Sequence, residues 1–491
     1  MSYSFPAPQG LDALNARVRQ DIAWLDLPAK PWVIPKTHNQ QTVLDVAIIG
    51  GGMAGLAASA ALKLLGIQAT IFDKAPTGFE GPWVTTARME TLRSPKQLAG
   101  PALGIGSLTF RAWFEAQFGL PAWEELNKIP RTQWMDYLRW YRQVLDLPLL
   151  NEHEVVRVLP LPNQLVELKL NTPEGKKTYY ARRVVLATGR DGLGGATVPE
   201  IAKTLPSHLW AHSSHTIDFT RLEGKRVGVV GAGASAMDSA ATALEAGAHS
   251  VDLIIRRADI PRVNKAKGAG NPGLTYGHAD LPDHWKWAVR HYINASQVPP
   301  PRGSTLRVSR HPNARFNLGC PMQAIEVIDD TLHVQTPKGT FVLDFLIFST
   351  GFRIDWLSRP EYADLAPHVR SWGDRYSPPE GEFDQELHDS PDLGPYFELQ
   401  EKTPGSCPEI TQVHCFCYPA ALSHGAISGD IPAISDGARK LSQGIASLLY
   451  QEDVAEHYAR LQAYDEPEVF GDEWTPAPPP QALNPSPVDQ G

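Results

Sequence analysis

Two short glycine-rich stretches constrain the fold of this chain more than any other feature. The first runs from Gly50 to Gly55 after the apolar run Val46–Ile49, and the second from Gly231 to Ala236 after Val227–Val230. An unbroken apolar run is typical of a buried parallel strand, and a glycine turn lets a pyrophosphate approach the backbone and the following helix N-terminus. Two such units, roughly 180 residues apart, cannot share one six-stranded sheet. We therefore predict two dinucleotide-binding units.

The strand that follows each glycine turn ends in a different charge. The first ends in Asp73, roughly 20 residues past the glycines, where a carboxylate can accept hydrogen bonds from ribose hydroxyls. The second ends in Arg256 and Arg257, and a guanidinium suits the 2′-phosphate of NADP. A solvated charge pair at the strand end is the alternative interpretation of the two arginines. The difference in charge assigns NADPH to the second unit.

Length and charge limit the number of domains and the partners. A chain of 491 residues predicts two or three domains, because a single core rarely exceeds about 250 to 300 residues. The net charge of -9 argues against nucleic acid as a partner. The first residues lack a signal peptide, and no apolar run approaches membrane-spanning length. We expect a cytoplasmic protein without a membrane partner, and a homo-oligomer stays open.

The four cysteines are sparse and show no C-x-x-C spacing. They are Cys320, Cys407, Cys415 and Cys417. The last two are most simply free thiols on one face of a strand, with a redox or metal role as the less favoured alternative. We predict no metal site.

Two strand ends share a small-residue pattern that lets the chain pass close to a bound cofactor. They are Ala187-Thr188-Gly189 and Ser349-Thr350-Gly351. Over residues 43 to 450, the order of these two strand ends and the two glycine turns resembles the order of motifs in class B flavoprotein monooxygenases. This group includes N-hydroxylating enzymes, flavin-containing monooxygenases and Baeyer-Villiger enzymes. The resemblance implies FAD at the first unit and NADPH at the second, with these cofactor-binding residues: Gly50, Gly52, Met53, Ala54, Gly55, Asp73, Lys74, Trp83, Thr188, Gly189, Gly231, Gly233, Ala234, Ser235, Ala236, Arg256, Arg257, Thr350, Gly351 and Asp430.

The implied fold is α/β, with two Rossmann-like dinucleotide-binding domains and the NADP domain inserted into a discontinuous FAD domain. The apolar strand Phe345–Phe348 is assigned to the returning FAD domain. The expected divisions are an N-terminal arm (1–42), the first segment of the FAD domain (43–204), the NADP domain (205–322), the second segment of the FAD domain with the substrate-pocket wall (323–470), and a Pro-rich disordered tail (471–491).

Three further stretches resemble segments of particular subgroups of this family. Met89–Leu98 and Arg131–Trp140 are similar to segments of the N-hydroxylating enzymes. Leu209–Phe219 keeps the spacing of the Baeyer-Villiger motif F-x-G-x-x-x-H-x-x-x-W, with His215 in the histidine place. The Phe, Gly and Trp of that motif are replaced by Leu209, Ala211 and Phe219. Neither subgroup is assigned.

The resemblance implies a single-component monooxygenase. Oxidised flavin would receive a hydride from NADPH, and the reduced flavin would then react with O2 and pass one oxygen atom from a flavin C4a-(hydro)peroxide to a small organic substrate in a dry pocket. The catalytic candidates are Arg93 and Lys96, which could hold an anionic substrate or reach NADP, and His215, which could orient the nicotinamide domain. Surface charges and a structural linker histidine are the respective alternatives.

Two other functions are considered beside the monooxygenase. One is an NAD(P)H-dependent flavin reductase or oxidase of the pyridine-nucleotide-disulfide type, without oxygen insertion. It needs a redox-active C-x-x-C, which the chain lacks. The other is a flavin-binding scaffold without turnover. Fold-level analogy does not select a substrate.

Overall fold

The computed structural model describes residues 10–480 of the chain. Its strands are β1 (Thr37–His38), β2 (Gln41–Thr42), β3 (Leu44–Ile49), β4 (Ala69–Phe72), β5 (Leu149–Leu150), β6 (Glu154–Leu161), β7 (Leu165–Thr172), β8 (Gly175–Leu186), β9 (Gly194–Ala196), β10 (Trp210–His212), β11 (Arg226–Val230), β12 (Ser250–Ile254), β13 (Ala314–Asn317), β14 (Ala324–Ile328), β15 (Thr331–Thr336), β16 (Gly339–Leu343), β17 (Phe345–Phe348), β18 (Phe352–Ile354) and β19 (Val413–Cys415).

The α-helices are grouped before, between and after these strands. They are α1 (Gly10–Trp24), α2 (Met53–Leu64), α3 (Phe110–Glu125), α4 (Arg131–Val144), α5 (Ala234–Glu245), α6 (Lys265–Ala269), α7 (Pro272–Gly277), α8 (Asp283–Ser296), α9 (Arg302–Ser309), α10 (Trp372–Arg375), α11 (Gln385–Asp389), α12 (Ala421–His424), α13 (Ile434–Glu452) and α14 (Val454–Gln462). Across residues 10–480, no helix combines the length and the apolar character needed to cross a bilayer.

The first glycine turn belongs to a seven-stranded sheet. Its order is β5-β4-β3-β8-β7-β6, and β19 pairs with β8. Strands β3, β4, β5, β8 and β19 run parallel, whereas β6, β7 and β8 form an antiparallel meander. Val46, Ala47 and Ile48 are fully buried in β3. Both faces of this strand are covered, which explains why its sequence is apolar without alternation.

The second glycine turn belongs to a separate five-stranded sheet, in which all neighbours are parallel. Its order is β10-β17-β11-β12-β13. The mixed α/β class with parallel sheets is therefore confirmed. A three-stranded antiparallel meander, β14-β15-β16, packs beside this sheet.

The assignment of Phe345–Phe348 to the returning first domain was wrong. We expected this strand in the returning first domain, but it forms β17 and pairs with β10 and β11 of the second sheet. A short apolar strand is buried on both faces in either sheet, so its residues do not indicate which neighbours it takes. The chain rejoins the first sheet only at β19, where Val413 lies opposite Val184.

The two chain segments that cross between the sheets lie side by side. Gly194–Ala196 of β9 pairs antiparallel with Phe352–Ile354 of β18. A Cβ on Gly194 would lie 2.1 Å from the carbonyl oxygen of Arg353, so only glycine fits this close approach. Main-chain pairing therefore joins the two units at the point where the chain passes from one to the other.

The segment expected to be an irregular arm contains a regular helix. In α1, Leu14 and Val18 are buried against the main core, and Trp140 Nε1 donates to Asn15 Oδ1 at 2.8 Å. At the other end, residues 471–480 are exposed and form neither helix nor strand. The rest of the predicted tail, 481–491, lies outside the described residues, as do residues 1–9.

The cysteine thiols are all free within the described part of the chain. Cys415 and Cys417 are buried with their Sγ atoms 3.6 Å apart. The prediction of two free thiols is confirmed for this pair.

Candidate functional site

The first glycine turn is shaped by two close backbone approaches. Gly50 has φ of +109°, and a Cβ there would lie 2.5 Å from the carbonyl oxygen of Ala187. A Cβ on Gly55 would lie 1.9 Å from the carbonyl oxygen of Gly50, so α2 can pack against the turn only with glycine at this position. A Cβ added to Gly52 would have Gly81 Cα as its nearest neighbour, at 3.8 Å. The backbone at Gly52 is therefore open to a ligand.

The helix that follows this turn has an uncapped N-terminus. Gly52 supplies no side chain to accept from the first N–H groups of α2, whereas Thr109 caps α3 by accepting from Ala112 N at 3.1 Å. Met53 and Ala54 form the first turn of α2. Free N–H groups and the positive end of the helix dipole together favour a phosphate at this point.

Asp73 lies beside the first turn, as its position in the sequence predicts. Its carboxylate accepts from Gly51 N at 2.6 Å and from Ala75 N at 2.7 Å, and burial raises its pKa. Lys74 follows it and is exposed. Trp83 belongs to the loop that begins at Gly81 and faces Gly52, and its ring lies edge-on to Trp134 at 6.3 Å.

A cavity of about 620 Å³ opens next to the first turn. Gly51, Gly52, Leu56 and Leu149 form its wall on the turn side, and α4 closes it with Leu138 and Arg142. Arg142 Nη1 pairs with Glu80 Oε1 at 3.2 Å, and this carboxylate also accepts from Asn151 Nδ2 at 2.6 Å. Such a volume suits a drug-sized or nucleoside-sized group. Arg142 and Glu80 were not among our predicted residues, because their role depends on contacts far apart in sequence.

The second glycine turn repeats this geometry with one change. Gly231 has φ of +131°, and a Cβ there would lie 2.7 Å from the carbonyl oxygen of Ser349. Gly233 has no atom within 4 Å of a Cβ position and leaves the N-terminus of α5 without a side-chain cap. Ala234 and Ser235 form the first turn of α5, and buried Ala236 occupies the register of Gly55. The backbone here is also open to a phosphate.

The charged residues predicted for the second turn follow β12. Arg256 is exposed and Arg257 is half-buried, and they lie two and three residues beyond Ile254, the last residue of β12. Ligands of open α/β sheets bind at the carboxyl ends of parallel strands. Both guanidinium groups therefore stand at the edge of the sheet where a dinucleotide would lie.

Each small-residue strand end abuts one glycine turn. Ala187, before Thr188 and Gly189, approaches Gly50. Ser349, before Thr350 and Gly351, approaches Gly231. Thr350 also donates from Oγ1 to the carbonyl oxygen of Thr197, and Thr197 N donates to Gly351 O at 2.9 Å. The second strand end is thus tied to the segment that crosses between the sheets.

Arginines from the loop before α3 link the two units. Arg93 Nη2 lies 3.6 Å from Asp238 Oδ2 on α5, and burial lowers the pKa of Arg93. Arg88 donates to the carbonyl oxygens of Ser213 and His215, the latter at 2.7 Å, and burial lowers its pKa to about 10. Arg88 was not among the residues predicted from the sequence, since nothing in its local sequence marks it.

His215 and Lys96 occupy different surroundings. His215 Nδ1 accepts from His212 N at 3.2 Å, and burial, followed by the charge of Arg88, lowers its pKa. Lys96 Nζ donates to the carbonyl oxygens of Trp123 at 2.6 Å and Glu124 at 3.3 Å, at the end of α3. The structure brings Arg93 and His215 to the boundary between the units, and it places Lys96 against α3. A catalytic role for any of the three stays a prediction.

Asp430 lies in the loop between α12 and α13. Burial raises the pKa of its carboxyl group, and the nearby charges of Arg290 and Arg190 oppose that rise. Arg190 follows Gly189 directly, so the small-residue strand end was a signal that could have identified it. No signal in the sequence identified Arg290.

Comparisons with known proteins agree with this geometry. Residues 47–268 match the family model described as pyridine nucleotide-disulphide oxidoreductase. The chain is 38% identical over 466 residues to the FAD-dependent urate hydroxylase of Xanthomonas campestris pv. campestris, across 94% of this chain and 98% of that protein.

Solved structures share the fold at low identity. The ornithine N-hydroxylase of Kutzneria sp. 744 superposes with a TM-score of 0.63 at 18% identity, over 82% of this chain and 99% of that one. The L-lysine 6-monooxygenase of Pseudomonas syringae superposes with a TM-score of 0.65 at 17% identity, over 82% and 99% of the two chains.

Proposed function

Because the chain belongs to the family of the FAD-dependent urate hydroxylase, we propose that it hydroxylates urate, with FAD as cofactor, NADPH as electron donor and O2 as oxidant. It is an FAD- and NADPH-dependent monooxygenase, as the resemblance in its motifs implied. One oxygen atom of O2 enters the substrate, and the other leaves as water with the hydride from NADPH and a proton. Bound FAD supplies the hydride acceptor and the site of O2 activation.

The first unit fits FAD in three respects. The open backbone at Gly52 and the uncapped start of α2 suit the pyrophosphate. Asp73 suits the ribose hydroxyls, because each of its carboxylate oxygens accepts from one main-chain N–H and keeps a second lone pair for the ligand. The cavity beside Gly51 and Arg142 suits the adenosine.

The second unit fits NADPH by the same criteria. Gly233 and the start of α5 suit the pyrophosphate, and Arg256 and Arg257 suit the 2′-phosphate. We propose that residues from β10 to β18 form an NADP domain inserted into a discontinuous FAD domain, with its second boundary near 355 rather than 322. The parallel sheet of β10, β17, β11, β12 and β13 supports this division. A cytoplasmic location stays a prediction.

Residues at the boundary between the units would order the reacting groups. Arg88 and Arg93 tie the loop before α3 to the second unit, through His215 and Asp238 respectively. We propose that this loop limits water access to the space between the two nucleotide turns. Excluding water keeps reducing equivalents from being lost as hydrogen peroxide.

The observation that carries the assignment to urate is the 38% identity, which extends over nearly the whole of both chains. The similarity therefore extends over both nucleotide units and the loops between them. The test is to reconstitute the purified protein with FAD and to follow NADPH oxidation, O2 uptake and loss of urate together. We expect one NADPH and one O2 consumed per urate. Urate-independent NADPH oxidation that releases only hydrogen peroxide would refute the assignment.

A further inference from the structure

The carboxylate of Glu80 is buried beside the first glycine turn, and the protein holds it by one oxygen. Glu80 is 5% exposed. Arg142 Nη1 donates to its Oε1 at 3.2 Å, and Asn151 Nδ2 donates to the same oxygen at 2.6 Å. Among residues 10–480, the structure shows no donor to the second oxygen, Oε2. A buried carboxylate oxygen without a donor is costly, so Oε2 is suited to a ligand that brings an N–H or O–H group.

The orientation of this carboxylate is fixed by side chains anchored next to β5. Asn151 Nδ2 also donates to Ala75 O at 3.1 Å, and its Oδ1 accepts from Arg142 Nη1 at 2.9 Å. Arg142 Nη2 donates to Leu149 O at 2.7 Å. The amide and the guanidinium group are therefore each held by the main chain. Because both direct their donors to Oε1, it is the Oε2 of Glu80 that stays free.

Glu80 lines the cavity of about 620 Å³ that opens beside the first glycine turn. Gly51 lines it as well, and its N–H donates to Asp73 at 2.6 Å. A ribose held by Asp73 therefore lies next to the cavity, and the adjoining group of the same nucleotide would fill it. Much of the remaining wall is apolar and is formed by Leu56, Met135, Leu138, Leu147 and Leu149.

The charges around the cavity suit a base rather than a phosphate. Both arginines in its wall already face a carboxylate, because Arg142 pairs with Glu80 at 3.2 Å and Arg139 pairs with Asp136 at 2.7 Å. Asp146 in the same wall adds a further negative charge. A phosphate would meet more carboxylates than cations here, whereas a neutral base with an N–H donor would meet apolar walls and one acceptor.

We propose that Oε2 of Glu80 accepts a hydrogen bond from the 6-amino group of the FAD adenine, and that this contact makes the site select adenine over a 6-oxo purine. Adenine is flat and neutral, and its amino group would supply the donor for this oxygen. A 6-oxo purine carries a carbonyl oxygen at the same position, so that two acceptors would face each other. The inference concerns how the cofactor is held, and its test is independent of urate.

The test exchanges the acceptor at this position for a donor. Full-length apoprotein is titrated with FAD, with the FAD analogue that carries hypoxanthine in place of adenine, and with FMN, and fluorescence quenching gives each Kd. The variant is Glu80→Gln. Because Arg142 and Asn151 both donate to Oε1, the amide oxygen of the new side chain stays with them and its NH2 group replaces Oε2. The matched control is Glu152→Gln, which removes the same charge from an exposed side chain next to Asn151.

We expect the wild type to bind FAD about 10- to 100-fold more tightly than the hypoxanthine analogue, the range for one hydrogen bond to a charged group. Glu80→Gln should weaken FAD binding by a similar factor and strengthen binding of the analogue, because the NH2 group donates to the 6-oxo oxygen, so that the preference for FAD disappears or reverses. The Kd for FMN, which lacks the adenosine, should change by less than about twofold, and Glu152→Gln should match the wild type in all three titrations.

Equal affinity of the wild type for FAD and the hypoxanthine analogue would overturn the inference, and this result does not depend on whether the variant folds. Equal losses for both dinucleotides in Glu80→Gln would assign the contact to a ribose hydroxyl instead. A matching loss for FMN would indicate general damage to the first unit. Unchanged Kd values for both dinucleotides would show that Oε2 contacts no part of the cofactor. Each of these results removes the role proposed for Glu80.

Discussion

Replacing Gly55 by alanine tests whether close packing of α2 on the first glycine turn is what creates the FAD site. The added Cβ would lie 1.9 Å from the carbonyl oxygen of Gly50 and 3.4 Å from Ile48 Cγ2. Real Cβ contacts essentially never fall below 3.0 Å, so α2 and the turn must separate by about 1 Å. Gly50 cannot retreat, because its backbone is already packed against Ala187: a Cβ added to Gly50 would lie 2.5 Å from Ala187 O.

The two energetic effects of this substitution oppose each other. Overpacking of this kind costs about 1–3 kcal/mol, whereas alanine gains about 1 kcal/mol over glycine inside a helix. We expect the apoprotein to lose about 0–2 kcal/mol of unfolding free energy, the difference between these two effects. FAD binding should suffer more, by at least about 10-fold in Kd, because the N–H groups at the start of α2 move relative to the open backbone at Gly52.

The assay measures the flavin-to-protein absorbance ratio after purification, the Kd for FAD by fluorescence quenching, and the melting temperature of the apoprotein. The matched control is Gly303→Ala in the first turn of α9, where a Cβ has no atom within 4 Å. It should leave flavin content unchanged and stabilise the protein slightly, by up to about 1 kcal/mol. A Gly55→Ala protein with full flavin content and an unchanged Kd would refute the reasoning.

Three further predictions concern charge. Asp73→Ala should weaken FAD binding by about 10-fold or more through loss of a charged acceptor for the ribose, and full flavin retention after dialysis would contradict the assignment. Arg256→Ala combined with Arg257→Ala should abolish the preference for NADPH over NADH, measured as the ratio of kcat/KM values, which an unchanged ratio would disprove. Burial lowers the pKa of His414 from 6.5 to about 3, so the folded state favours its neutral form and stability falls as pH drops from 6.5 towards 3. His414→Asn, which keeps a donor for Tyr396 O, should flatten the fall in melting temperature between pH 7 and 4; an equally steep fall would contradict this.

Features that depend on local backbone chemistry could be predicted from the sequence. Gly55 needs glycine because of its contact with Gly50 in the same strand-turn-helix unit, Gly50 has the positive φ of the turn itself, and Asp73 follows the next strand. The order of apolar and small residues along about 30 positions encodes all of these contacts. The same holds for the second turn and for Arg256.

Features that depend on which distant segments meet could not be predicted. The apolar residues of β17 suit either sheet, and only pairing with β10 and β11 decides between them. Arg88, Arg142 and Arg290 act through carbonyls or carboxylates far away in sequence, and an isolated arginine carries no sign of its partner. The regular helix α1 was missed because its buried side is narrow, with Leu14 and Val18 as its fully covered residues.

The topology also makes the surroundings of β19 depend on how the second unit is docked. Helix α8 belongs to the segment between β12 and β13 of the second sheet, yet it packs on α11 and α12, which lie on either side of β19 of the first sheet along the chain. These contacts of α8 therefore form only when the second unit is docked on the first. Docking is held by the β9–β18 pair and by the ion pair of Arg93 with Asp238. Displacing the second unit would break the contacts of α8 with α11 and α12, and it would also separate the two nucleotide turns.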